Sequence, residues 1–321
     1  MKALILILAA LPLAAQAPLP KTWTAPHTPD GKPDLQGVWT SATLTPLERP
    51  PELANKQVFA SKEEAVQWTK QFLQANNRDR RDGSAQDDVS RAYNEFWFSR
   101  GDGVVPTLRT SLIIDPPDGK IPAWTADAQK RAAERAEAQR LHPADGPEDR
   151  PLADRCILWS GGRGDPVAGP PMIPGGYNNN YQIVQGAGYV MIVVEMIHDV
   201  RIIPTDGRPH LPSSVRQWRG DSRGRWEGDT LVVDTTNFTD KTFFRGSGAN
   251  LHLTERFTRK APSQLMYQFT VDDPASFTQP WTVQIPMAKT DGPILEYACH
   301  EGNYAMEGIL RGARKEELEK K

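Results

Sequence analysis

Between residues 180 and 299 apolar side chains recur at every second position, the period of a strand with one buried face and one wetted face. Leu265, Tyr267, Phe269 and Val271 form one such row, and Trp281, Val283, Ile285 and Met287 form another. Further strands are predicted over 181–185, 189–197, 201–204, 231–236, 251–258 and 295–299. Gly186-Ala-Gly188 between the first two is a hairpin signal. The strands lie too close in sequence for crossover helices, so the sheet is expected to be antiparallel. About eight to ten such strands fit a barrel or a two-sheet sandwich, since closure removes exposed edges.

The strand-rich half is preceded by a stretch with helical periodicity. Asp34-Leu-Gln-Gly-Val-Trp-Thr40 reads as a turn into a first strand. Ser61-Lys-Glu-Glu64 is a capping box, and Ala65, Trp68, Phe72 and Ala75 follow at helical spacing. Val89, Ala92, Tyr93, Phe96 and Trp97 predict a second apolar stripe, and 126–140 a surface helix charged nearly all round. Residues 109–114 read as a strand stopped by Pro116-Pro117, and 141–176 as loop. The expected organisation is mainly β: one domain over 35–312, with a helical insertion at about 60–140. An irregular, Pro-rich segment (18–34) precedes it and a charged tail (313–321) follows.

Met1-Lys2, the apolar run 3–13 and Ala15-Gln16-Ala17 have the pattern of a secretory signal peptide over 1–17. An exported protein, periplasmic or extracellular, is therefore expected. Cys156 and Cys299 both follow the leader, and in an oxidising compartment such a pair forms a disulfide. Using Cys299-His300 as metal ligands is the weaker reading, because neighbours on a strand face opposite ways. With 38 Lys and Arg against 40 Asp and Glu, the chain lacks the basic excess of a nucleic-acid binder. A mean hydropathy of −0.55 excludes a polytopic membrane protein, and no later segment is apolar enough to span a bilayer. P-loop, dinucleotide, zinc-protease and calcium-loop motifs are all missing from the sequence, so no cofactor and no metal is expected.

Two acidic residues interrupt apolar rows. Glu195 shares a strand face with Tyr189, Met191, Val193 and Ile197, and Glu255 with Leu251, Leu253 and Phe257. A carboxylate in such a row is costly unless paired or protonated. Either it pairs with Arg201, Arg256 or another Arg and fixes strand register, or the two line a lumen for acid–base work. His198, Asp199 and Arg201 follow at the end of the same strand, bringing an imidazole, a carboxylate and a guanidinium together. Three of His198, His210, His252 and His300 could converge at a barrel mouth and bind a metal, yet no helical H-x-x-x-H pair enforces it, and His252 and Glu255 should face opposite ways. Tyr177-Asn-Asn-Asn-Tyr181, with Asn179 and Tyr181, offers amides between aromatic rings; Trp218 and Trp226 flank Gly220-Asp-Ser-Arg-Gly224. That last string has the spacing of a nucleophile elbow, yet 225–233 continues as turn and strand instead of the required helix. It reads as a Gly-rich turn, as do the Arg-Gly-Asp strings at 100, 163 and 219.

Pro33-Asp-Leu-Gln-Gly-Val-Trp39, Arg225-Trp-Glu-Gly-Asp-Thr-Leu-Val-Val-Asp-Thr-Thr-Asn-Phe238 and Glu296-Tyr-Ala-Cys-His-Glu-Gly-Asn303 carry a resemblance. The chain resembles a family of secreted bacterial proteins with no established activity to carry over. Gly37-Val-Trp39 also resembles the G-x-W of the first strand in lipocalin-like barrels, which implies a barrel around a ligand chamber. The leading expectation is an exported β-barrel that binds a small organic molecule, with catalytic candidates His198, Asp199, Glu195 and Glu255. Arg201, Asn179, Tyr181, His300 and Trp218 would contact the ligand. The alternatives are a cofactor-independent hydrolase, lyase or isomerase with His198 as acid and base, and a structural or envelope-interaction protein.

Overall fold

A computed structural model describes residues 23–91, 94–159, 169–242 and 244–319. The expected signal peptide and the stripe positions Ala92 and Tyr93 lie outside these residues. The fold is mainly β: ten antiparallel strands form one sheet. In chain order the elements are β1 (Gly37–Thr40), α1 (Lys62–Ala75), α2 (Ala85–Ser90), β2 (Ile113–Asp115), α3 (Ala126–Leu141), β3 (Asn180–Gly186) and β4 (Tyr189–Val194). Then come β5 (Asp199–Pro204), β6 (Asp221–Glu227), β7 (Thr230–Thr236), β8 (His252–Ala261), β9 (Gln264–Asp272), β10 (Trp281–Thr290) and α4 (Ala305–Glu319).

The strands lie in the order β5-β4-β3-β1-β10-β9-β8-β7-β6, with β2 beside the start of β10. The sheet is not closed by a ladder, but its two edges, β5 and β6, approach each other. Gly224 on β6 makes the approach possible: a Cβ there would lie 2.8 Å from Thr205 Cγ2 and 3.0 Å from Ile203 Cγ2. The result is an open barrel.

Strict alternation fills its inside. Leu253, Glu255 and Phe257 of β8, Leu265, Tyr267, Phe269 and Val271 of β9, and Trp281, Val283, Ile285 and Met287 of β10 are all buried. Register sets Phe257 against Tyr267 and Val283 against Phe269, so the rings meet directly. The outer face is polar, with Thr270 Oγ1 2.9 Å from Thr282 Oγ1.

Between β1 and β3 runs the helical insertion. Ser61 caps α1 by accepting from Glu64 N at 3.2 Å. The Glu64 carboxylate takes the Ala60 N–H rather than that of Ser61, so the reciprocal half of the cap sits one residue early. Leu53, Phe59 and Ala65 form a small separate core under Trp68. α3 is exposed except at Ala128 and, in part, Ala132, as its charge pattern implies.

Several expectations are corrected. The strand expected over 189–197 stops at Val194, because Glu195 turns into helical backbone and Ile197 and His198 have φ of 66° and 56°. Glu195 therefore leaves the row of Tyr189, Met191 and Val193. The Gly220–Gly224 string lies at the start of β6 instead of forming a turn, with Ser222 facing inward. No strand forms over 295–299; the chain leaves the sheet at Gly292-Pro293 and runs to the Cys156–Cys299 disulfide. The second apolar stripe is not buried: Val89, Phe96 and Trp97 are exposed, having no core to cover. α4 extends through the expected charged tail as far as Glu319.

Candidate functional site

The polar residues read from the sequence divide into an interior network and a barrel end. Inside, Arg201 of β5 reaches across the open seam. Its Nη1 donates to Glu255 Oε1 at 2.9 Å, and its Nη2 donates to Glu255 Oε2 and to Thr235 Oγ1. Ser222 Oγ accepts from Arg201 Nε at 3.1 Å and from Nη2 at 2.9 Å. Tyr267 adds a bond from its hydroxyl to Glu255 Oε1 at 2.8 Å and accepts from Met172 N at 3.0 Å. Burial, and then the Glu255 charge, push the Tyr267 phenol well above its ordinary range. A bidentate Arg–carboxylate pair with these added bonds is satisfied from within. It ties edge strand to edge strand where no backbone ladder does so. This is the pairing reading of Glu255, with Arg201 as the partner.

At the barrel end, where β4 turns into β5, the segments 169–181, 195–199 and 295–297 converge. Glu195 is buried and accepts from Asn180 N at 3.3 Å and Leu295 N at 3.4 Å. Among the described residues it shares no bonding partner with Glu255, which is taken up by Arg201 and Tyr267. Tyr181 is buried, and burial is the main force that raises its phenol; the Glu195 charge adds to this and the Arg219 charge opposes it. Asn179 uses its amide on the backbone, accepting from Gly175 N and donating to Ser99 O.

Beside these groups stands a collar of partly exposed rings. Trp159 meets Tyr177 and Tyr297 with centroids 6.0 Å apart in each case, and Tyr177 meets Phe98 at 6.2 Å. Gly176 is bare for a reason: a Cβ there would come within 3.0 Å of the Phe98 ring. The rings are mounted on four separate stretches of chain, one of them secured by the disulfide next to Tyr297.

Asp199 is ion-paired with Arg219 rather than with His198, so the imidazole–carboxylate dyad expected at 198–199 does not form. His198 is exposed on its left-handed turn, and His300 is exposed beside Cys299. Trp218 is partly buried on the β5–β6 connection, where its carbonyl accepts from Thr242 Oγ1 at 2.8 Å. Sequence reasoning took Arg219 for turn chemistry, and it missed Phe98, Trp159 and Tyr297. The Tyr177–Tyr181 string and the Glu195, His198 and Asp199 candidates signalled this end; the rings around it gave no sign.

The other histidines meet on the outer face. His210 sets Nδ1 2.8 Å from Asp221 Oδ2 and Nε2 2.8 Å from Asp234 Oδ1. His252 Nε2 lies 2.5 Å from Asp234 Oδ2. His210 makes both bonds as a donor only when both ring nitrogens carry protons. Among the described residues no group of three or more His, Cys, Asp or Glu side chains is placed to hold a metal ion. Comparison with family models, curated proteins and solved structures returned no match to this chain.

Proposed function

We propose that the protein is exported and binds a small, planar organic molecule at the barrel end framed by Phe98, Trp159, Tyr177 and Tyr297. The observation that carries this reading is the collar itself: rings from distant stretches of chain, left partly exposed, beside the buried polar groups Glu195, Tyr181 and Arg219. An apolar wall with a few converging polar groups is the usual composition of a small-molecule site. The barrel interior is a poorer place for a ligand, because Glu255 and Arg201 already satisfy each other. Export is supported by the Cys156–Cys299 disulfide, which suits an oxidising compartment. No helix among the described residues is long and apolar enough to cross a membrane.

The test is backbone NMR of the full chain titrated with a panel of planar one- and two-ring fragments. Binding should shift the resonances of 98, 159, 175–181, 195–199 and 297, and Trp159→Ala should abolish the response while the fold is kept. Shifts that map to the outer face, or a panel that leaves the collar untouched, would overturn the proposal.

A further inference from the structure

We infer that the molecule bound at the barrel end is an aromatic carboxylate and that Arg219 receives its carboxylate; this rests on reading that end as the ligand site. A guanidinium carries five N–H donors in a planar fork. In Arg219, Nε is ion-paired with Asp199, and Nη1 donates to Gly169 O at 2.7 Å. Nη2 is buried and has no hydrogen-bond partner among the described residues. A buried donor left unmade is a standing cost, heavier when the donor is charged.

The Asp199 side chain is 38 % exposed and that of Arg219 only 15 %, so the ion pair meets water mainly at its Asp199 end, while Nη2 is buried. The neighbouring cation, Arg201, is already neutralised by Glu255 and cannot take a second carboxylate without giving up the first. Arg219 also braces both walls of the site. Gly169 lies on the stretch of chain that leads to Tyr177, and Asp199 ends the turn that carries Glu195. A ligand carboxylate at Nη2 makes a charge-assisted bond that a neutral group does not match. A ring attached to it would lie toward the collar, and Glu195, hydrogen-bonded to Asn180 next to Tyr181, would repel a second acidic group. A monoanion fits this arrangement better than a dianion.

The experiment compares 2-naphthoate, 2-naphthamide and naphthalene-1,4-dicarboxylate on the wild-type full chain by calorimetry, then on Arg219→Gln and Arg219→Lys. Naphthoate should bind about tenfold more tightly than naphthamide, the difference made by one charge-assisted bond. The dicarboxylate should bind more weakly than naphthoate. Arg219→Gln should erase the preference for naphthoate over naphthamide; Arg219→Lys should retain part of it. Should Arg219→Gln not fold, the wild-type series still decides, together with the shift of the Arg219 side-chain N–H resonances on adding naphthoate. Equal binding of naphthoate and naphthamide overturns the carboxylate assignment and leaves the collar standing as a neutral-ligand site. If no compound binds, the collar reading falls, and the carboxylate assignment with it.

Discussion

Glu255 and Asp234 stand on the paired strands β8 and β7, but one faces into the barrel and the other faces out. Glu255 is fully buried and answers to Arg201 and Tyr267. Asp234 is partly wetted and answers to His210 and His252. Inside, the partner is a guanidinium that stays charged at any pH the fold survives, fixed in geometry by Ser222 and Thr235. Outside, the partners are imidazoles, which change charge near neutrality. One network is a permanent clamp on the β5–β6 seam. The other responds to pH and holds the 205–220 connection, which Arg223 also grips through Pro209 O at 2.8 Å.

The largest expected effect lies in the clamp. Glu255→Gln keeps the shape but leaves Arg201 buried without its counter-charge, which should cost about 3–5 kcal/mol in chemical denaturation. Replacing both partners, Arg201→Met with Glu255→Met, should cost less than the single change, because no buried charge is then orphaned. If the two single losses simply add in the double variant, Arg201 and Glu255 are not the coupled pair that the distances describe. A smaller effect is expected at the glycine that lets the seam narrow. Gly224→Val should lower stability by about 1–3 kcal/mol through overpacking against Ile203 and Thr205. Wild-type stability in that variant would show that β5 and β6 do not approach so closely.

The contrast also explains how much of the molecule was legible in the sequence. β8, β9 and β10 were readable because every second residue is large and apolar, and the β3–β4 hairpin because Gly186 and Gly188 mark its turn. β6 was hidden because its inward positions are Ser222 and Gly224, residues chosen by the Arg201 guanidinium and by the closeness of β5. Tertiary demand outweighed strand propensity there. Phe96 and Trp97 misled in the opposite direction, carrying a helical period with no core to meet it. Glu255 could be singled out as an acid in an apolar row, and Arg201 was among the partners foreseen. The collar could not be found this way: Phe98, Trp159, Tyr177 and Tyr297 are brought together by loops, which have no period. Arg219 gives no local sign that Asp199, twenty positions back, and Gly169, fifty back, are its partners.

The smallest effect, and the sharpest test of the contrast, is pH dependence. Asp234 holds the His252 imidazole above its ordinary 6.5, chiefly by accepting its hydrogen bond, with the Asp234 and Asp272 charges adding to this and partial burial opposing it. His252 in turn holds Asp234 below its ordinary 3.8, and His210 contributes in the same direction. For the raised imidazole, the stabilisation is fully present below 6.5 and fades as pH climbs through the raised value. For the depressed carboxyl, it is present above 3.8 and fades as pH falls through the lowered value. The pair therefore contributes most between those two ordinary values. Asp221, Asp234, Asp272 and Arg223 are the charged neighbours that surround the two histidines. The stability difference between wild type and His252→Gln should be largest from about pH 4 to 6.5 and shrink on either side. Between about pH 6 and 8, where the loss of the histidine contribution sets in, Glu255→Gln should give a nearly constant difference. A flat profile for His252→Gln would mean that the outer cluster is as insensitive to pH as the clamp, and the distinction between the two faces would then be one of burial alone.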